Sequence, residues 1–281
     1  MLNNWPRVAG PLFLYSDHEQ PSVTILLEIR VLTWILLVTF NFCTPLKTIF
    51  AGHSAMLVTY YGHSCFGIEA GGKRLLFDPF ISTNPLASHI RLEDISADYL
   101  LVSHGHVDHT HDLIALARHT GATLISNFEI CEWAADKGVR NTHPMNIGGH
   151  WMFDFGKVKC VNAVHSSSLP DGTYGGSPMG FLIESASGNF YYAGDTALHY
   201  DMKLIGDYKR IDLAFLPLGN NFTMGIDNAV IASEFIKCDK IVGMHYDTVD
   251  TIRIDHNEAT RKFSAAGKRL HLLKIGEKTE L

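Results

Sequence analysis

From Met56 onward the chain alternates short apolar runs with stops of glycine, proline and aspartate. Met56 to Tyr61, Cys65 to Glu69 and Lys73 to Phe77 are separated by Gly62-His63-Ser64 and by Gly71-Gly72. This is the pattern of successive antiparallel strands joined by tight turns. Alternation fails in Lys73-Arg74-Leu75-Leu76-Phe77, which predicts a strand buried on both faces. After Asp78-Pro79 a loop is expected from Ile81 to Asp94, and the apolar run Tyr99-Leu100-Leu101-Val102 follows it. Helical spacing predicts helices at Asp112 to His119, Glu129 to Lys137, His199 to Asp207 and Asp227 to Lys237. Strands are expected between them and at Leu270 to Lys274. The alternation implies an α/β layered fold and leaves open whether its sheets form a Rossmann-like layer or a sandwich.

Residues 1–55 have a different pattern. The apolar segment Val31 to Phe40 is preceded by Glu28 and Arg30, and the uncharged stretch Val31 to Leu46 falls short of the roughly 20 residues that a spanning helix needs. A signal peptide opens on a short basic region, whereas Asp17, Glu19 and Glu28 precede this run. A third reading starts the protein at Met56, because Leu57-Val58-Thr59-Tyr60-Tyr61 opens the first strand at once. Under any of the three, residues 1–55 are an N-terminal extension, and residues 56–281 are the catalytic domain. Membrane contact or export is expected only if the extension is a genuine segment.

The chemistry centres on Ser103-His104-Gly105-His106-Val107-Asp108-His109, directly behind the run that ends at Val102. His104 and His106 alternate, so in an extended backbone both imidazoles project the same way and can share one ion. Asp108 and His109 come where the chain turns toward a helix, and they can face a second ion. Imidazole and carboxylate are ligands for zinc, iron and manganese. Three further candidates each close a predicted strand: His165 after Val158 to Val164, Asp195 after Phe190 to Gly194, and His245 after Lys240 to Met244.

This H-x-H-x-D-H spacing, with the later His, Asp and His in order, resembles the signature of the metallo-β-lactamase superfamily. The resemblance implies a four-layer αββα sandwich with metals at one edge between two sheets. It also implies that His104, His106 and His165 hold one ion, that Asp108, His109 and His245 hold another, and that Asp195 bridges them. Tyr60-Tyr61-Gly62-His63-Ser64-Cys65-Phe66, Phe77-Asp78-Pro79-Phe80, His165-Ser166-Ser167-Ser168, Gly194-Asp195-Thr196 and Leu216 to Gly225 narrow it. These stretches are similar to the uncharacterised metal-dependent hydrolases related to the L-ascorbate-6-phosphate lactonases. The cofactors implied are two divalent ions, zinc first and manganese or iron as alternatives. A hydroxide bridging two such ions would be the nucleophile against a small ester, lactone or phosphoester, with Asp108 in the catalytic centre. Two alternatives share the fold: a mononuclear iron oxidoreductase of the sulfur-dioxygenase kind, and a non-catalytic binding module.

Composition narrows the partners. A net charge of −6 without a Lys/Arg-rich run excludes a nucleic-acid backbone on electrostatic grounds. A small anionic substrate stays open, since bound ions offset charge locally. Five cysteines without a C-x-x-C pair argue against a disulfide framework and fit the cytoplasm. Cys65 reads as a small buried hydrophobe.

Outside the ion set, His63 in the Gly-His-Ser turn has two readings. It could protonate a leaving group or hold an oxyanion, or it could be a turn histidine bonded to backbone. Asp78 is read as the acceptor behind a ligand imidazole, against a plain Asp-Pro turn. Asp112 is read in the same role, against a favourable charge in a helix first turn. Ser167, Tyr174 in a glycine-rich loop, and Asn220 and Asn221 are candidates for substrate contact, although turn and cap chemistry explains parts of these segments.

Overall fold

The computed structural model describes residues 56–281, so the readings of residues 1–55 fall outside the described residues. The first three strands are β1 (Leu57–Gly62), β2 (Cys65–Ala70) and β3 (Lys73–Phe77), and they form an antiparallel meander as the turn pattern predicts. The predicted loop after β3 carries two single 3-10 turns, Pro85–Ala87 and Leu92–Asp94. From there the topology changes. β4 (Tyr99–Leu101), β5 (Thr123–Asn127) and β6 (Thr142–Met145) each pair parallel with the strand before. Parallel neighbours need a crossover, and helices α1 (Val107–Thr110), α2 (Leu113–Thr120) and α3 (Phe128–Asp136) supply two of them.

The second half repeats the plan. β7 (His150–Phe153), β8 (Gly156–Asn162), β9 (Met179–Ser185) and β10 (Gly188–Tyr192) are antiparallel. β11 (Leu213–Pro217), β12 (Lys240–Met244) and β13 (Arg269–His271) then follow in parallel. Their crossovers are α4 (Met202–Tyr208), α5 (Ile226–Phe235) and α6 (His256–Ala265). A last strand, β14 (Lys278–Glu280), returns to pair with β1. The sheets run β14-β1-β2-β3-β4-β5-β6 and β13-β12-β11-β10-β9-β8-β7.

Burial explains the layering. Phe66, Phe77, Phe181, Phe190, Tyr192 and Phe215 form the inner core, with Phe77 stacked on Tyr192 at 4.6 Å between ring centres. Leu76, Leu100, Val102 and Leu124 instead pack outward with Leu113, Leu116 and Ile130 of the helices. β3 therefore sends Leu75 and Phe77 to one core and Leu76 to the other, which is why its alternation fails. These cores make the molecule a four-layer α/β sandwich.

Three predicted helices sit within two residues of α2, α3 and α5, whereas the one expected from His199 starts at Met202. α6 has no counterpart in the sequence reading: only Ala259 and Phe263 of its ten residues are buried, too sparse an apolar stripe to show a helical period. Among the described residues, no helix is long and apolar enough to cross a membrane. Cys65, Cys131, Cys160 and Cys238 are free and buried. Burial pushes the Cys65 thiol well above its usual range and that of Cys131 to about 12, so neither is an activated nucleophile.

Candidate metal centre

Each of the seven ligand candidates leaves the end of a strand or the helix that follows one. His104 and His106 lie past β4, with Asp108 and His109 in α1; His165 lies past β8, Asp195 past β10 and His245 past β12. The carboxyl ends of parallel strands in α/β sheets are where ligands bind, and here the two sheets bring theirs to one edge.

The donors form two groups. One atom from each of His104, His106 and His165 lies within 4.8 Å of the other two, and the same holds for His63, Asp108, His109 and His245. Asp195 stands between the groups. Its Oδ2 is 3.6 Å from His165 Nε2, 3.3 Å from His109 Nε2 and 2.9 Å from His245 Nε2. Asp108 Oδ2 is 4.0 Å from His109 Nε2 and 3.9 Å from His245 Nε2.

Hydrogen-bond direction fixes which nitrogens carry protons. Wholly buried Asp78 accepts from Ser103 N at 2.7 Å, Ser103 Oγ at 2.6 Å and His109 Nδ1 at 2.8 Å. The Tyr192 hydroxyl shares its one proton between Asp78 Oδ2 at 2.8 Å and the Ser64 carbonyl at 2.7 Å. Because Ser103 Oγ donates to Asp78, it can accept only from His104 Nδ1, 3.0 Å away. The lone pair of His104 is left on Nε2, and that atom faces His106 Nδ1 at 3.0 Å. The proton of His109 is likewise on Nδ1, and its buried Nε2 has no hydrogen-bond partner; Asp195 Oδ1 has none either. Buried polar atoms without partners are expensive, and His109 Nε2 also has its lone pair 3.3 Å from the Asp195 carboxylate. A divalent cation satisfies both, so the donor set fits a metal.

The electrostatics agree. Burial opposes charge on His109, but the Asp195, Asp78 and Asp108 carboxylates outweigh it and raise its proton affinity well above the ordinary value. A field that draws a proton to that nitrogen also draws a metal cation. Burial also works against ionised Asp108 and Asp195, yet His109 together with His63 or His245 holds both well below the usual carboxylate range. Burial keeps His104 neutral, its pKa well below the imidazole norm.

Close approach explains two glycines. A Cβ on Gly105 would meet the Ser168 carbonyl oxygen at 2.9 Å, so only glycine lets the loop carrying His104 and His106 lie against the segment after His165. Gly194 has φ +62°, and a Cβ there would meet Ser103 Cβ at 2.8 Å.

The remaining candidates divide. Asp78 stands behind a ligand candidate as read from sequence, whereas the reading of Asp112 is corrected. The Asp112 carboxylate accepts from Ile81 N at 2.6 Å, Ser82 N at 2.9 Å and the Ser82 hydroxyl, and so pins the loop after β3. Ser167 is also corrected: its hydroxyl accepts from Gly105 N at 3.0 Å and donates to Gly175 O at 2.9 Å, which fastens two backbones together. Of the readings of His63, the backbone-bonded turn is corrected: its ring Nδ1 meets Thr248 Oγ1 at 2.8 Å and Nε2 meets Asp108 Oδ2 at 3.1 Å. Burial first, then the nearby His245, pushes its pKa down to about 4, which favours a neutral ring, better suited to holding an oxyanion than to protonating a leaving group. Tyr174 is largely exposed. Asn220 and Asn221 turn the chain with φ of +59° and +48°. Asn220 lines a cavity of about 420 Å³ with Asp227, Arg253 and Asp255, and its backbone hydrogen bonds go to Phe222, Thr223 and Met224. Ser103, Tyr192 and Thr248 were not singled out from sequence.

A two-sheet α/β sandwich with a His/Asp donor cluster at one sheet edge is the architecture of the metallo-β-lactamase fold. Residues 73–246 match the family model described as a beta-lactamase superfamily domain. A UPF0173 metal-dependent hydrolase of Flavobacterium johnsoniae is 56% identical over 226 residues, 80% of this chain and 100% of that protein. Its counterpart in Christiangramia forsetii is 53% identical over 227 residues, again 80% of this chain and all of that one. Among solved structures, Igni18, a metallo hydrolase from the hyperthermophilic archaeon Ignicoccus hospitalis, superposes with a TM-score of 0.74 at 33% identity. That match covers 81% of this chain and 99% of Igni18. The chain belongs to the UPF0173 metal-dependent hydrolases of the metallo-β-lactamase superfamily.

Proposed function

We propose that this hydrolase uses two divalent ions to open a small anionic ester, lactone or phosphoester with water. One observation carries the reading: Asp195 Oδ2 lies 3.6 Å from a donor of one group and 3.3 and 2.9 Å from two donors of the other. A carboxylate within reach of two ions is what a site with ions about 3.5–4 Å apart requires. When bound, the ions supply a water acidic enough to act as nucleophile near neutral pH and polarise the oxygen of the scissile bond.

The chain's own groups orient this chemistry. Asp78, through Ser103 Oγ and directly, holds the His104 and His109 rings in the tautomers that aim Nε2 inward. Tyr192 and the buried β3 end keep Asp78 itself from moving. No side-chain nucleophile is needed, and Ser167 is engaged with backbone.

Charge permits an anionic substrate. Two divalent ions would bring four positive charges against the carboxylates of Asp78, Asp108 and Asp195, so that even with one hydroxide bound the centre carries no excess negative charge to repel an anionic substrate. The likeness to ascorbate-phosphate lactonases puts phosphorylated lactones among the candidates. Tyr174, Asn220 and Asn221 remain the proposed substrate contacts. Zinc is the first choice of ion, with manganese and iron as alternatives, because histidine and aspartate accept all three. Four free, buried cysteines support a reducing, cytoplasmic setting.

Elemental analysis of the purified chain, with turnover of chromogenic phosphodiesters, esters and lactones, tests the proposal. Two equivalents of zinc or manganese are expected, and Asp195→Ala should lose metal and at least about a hundredfold in turnover. One equivalent of iron would move the weight to oxygen chemistry, and an unaffected Asp195→Ala would remove the bridging role.

A further inference from the structure

The geometry points to His63 as an additional ligand, through Nε2, of the ion held by Asp108, His109 and His245, with Thr248 as the residue that positions it. This rests on the dinuclear reading above and adds to it. His63 sits in the two-residue β1–β2 turn at φ +55°, the left-handed backbone that such hairpin turns require and that histidine tolerates better than most residues. His245 is also left-handed at φ +54°, and its N–H donates to the His63 carbonyl at 2.9 Å. The two left-handed histidines are thus tied together, with ring centres 4.2 Å apart. Tyr60 Oη donates to the same carbonyl at 3.2 Å. These bonds fix where the His63 ring stands relative to His245.

The direction of the hydrogen bonds decides what the ring offers. When Thr248 Oγ1 directs its proton to the Tyr246 carbonyl, 3.5 Å away, it accepts from His63 Nδ1 at 2.8 Å. The His63 proton then lies on Nδ1, and the Nε2 lone pair confronts the Asp108 carboxylate at 3.1 Å. Two electron-rich atoms at that distance need a cation between them. One donor from His63 already lies within 4.8 Å of donors from Asp108, His109 and His245. In the opposite tautomer His63 would merely donate a hydrogen bond to Asp108.

With Asp195, this half of the site then has five protein donors, against four around His104, His106 and His165. Four donors suit tetrahedral zinc, whereas five suit an ion that prefers six-coordination, such as manganese or iron(II). The two halves therefore differ in metal preference, and manganese should enter the His63 half first.

The test strips the full chain with chelator, adds one equivalent of manganese(II), and counts coordinated imidazoles by pulsed electron paramagnetic resonance. Three are expected in the wild type and two in His63→Asn, which tolerates the left-handed backbone. Thr248→Val should keep three imidazoles but bind manganese about tenfold more weakly. If His63→Asn does not fold, His63→Gly with added imidazole replaces it, and recovery of the third coupling supports the assignment. An unchanged imidazole count in either His63 variant overturns it and leaves His63 as a hydrogen-bond donor. If the wild type binds neither manganese nor zinc, the dinuclear reading falls as well, so the two failures are told apart.

Discussion

Asp78→Asn isolates the charge that sets the tautomers of the centre. The substitution keeps the side-chain volume, and asparagine tolerates the φ of +41° found at this position. One oxygen can still accept from Ser103 N, as at 2.7 Å now. The other becomes an NH₂ aimed at three donors: Ser103 Oγ, His109 Nδ1 and Tyr192 Oη, now at 2.6, 2.8 and 2.8 Å. Donor would face donor unless protons move. The cheapest move puts the His109 proton on Nε2, where it occupies the lone pair needed by an ion. Disturbing the partner behind a ligand histidine typically costs 10–100-fold in metal affinity, or about 1.4–2.7 kcal/mol. Loss of one charged acceptor should also lower the stability of chelator-treated protein by about 1.5–3 kcal/mol. Competition against a chelating dye measures the first quantity and urea unfolding the second. Nitrogen-15 NMR of the histidines reports the tautomer directly. An Asp78→Asn protein that binds metal within about threefold of wild type, with His109 still protonated on Nδ1, would refute the argument that Asp78 orients the centre.

Two more outcomes follow from the same geometry. Chelator-treated protein should lose stability as pH falls from about 6.5 to about 4. In that window unfolded histidine takes up a proton that folded His63, with its value pushed down to about 4, does not. The His63 contribution, about 3 kcal/mol, is therefore fully present above 6.5 and lost on acidification; His104 shifts in the same direction, whereas His109, raised well above its ordinary value, loses its contribution only as pH rises beyond 6.5. Urea midpoints at pH 7 and pH 5 should separate for wild type and draw together for His63→Asn; equal separation would clear His63 of the effect. Gly105→Ala places a methyl group 2.9 Å from the Ser168 carbonyl, which should cost about 1–3 kcal/mol of stability and about a hundredfold in turnover through displaced His104 and His106. Unchanged kinetics in that variant would show that the two segments are free to part.

What the sequence made legible was whatever lies next to a strand end. The ligand types follow apolar runs directly, so His104, His106, His165, Asp195 and His245 could be placed at strand ends without knowing which strands pair. Partnership across the chain could not be read. Thr248 meets His63 across 185 positions and Tyr192 meets Asp78 across 114, and no periodicity encodes either contact. Nearness to a ligand was itself misleading for Asp112, because proximity in sequence does not say where a carboxylate's lone pairs go.

The structure replaces nearness with a more specific pattern, a hydroxyl residue within three positions of a strand-end ligand. Ser103 precedes His104 and accepts its Nδ1 proton. Ser167 follows His165 and ties its segment to Gly105. Thr196 follows Asp195, and its Oγ1 accepts from Val164 N at 3.0 Å, which joins the Asp195 loop to the one carrying His165. Thr248 follows His245 and reaches His63. A hydroxyl both donates and accepts, so it can transmit proton direction from a backbone carbonyl or a buried carboxylate to an imidazole, or fasten one loop to the next. At a site built from several separate strand ends, that capacity is needed at each junction, and these four residues supply it.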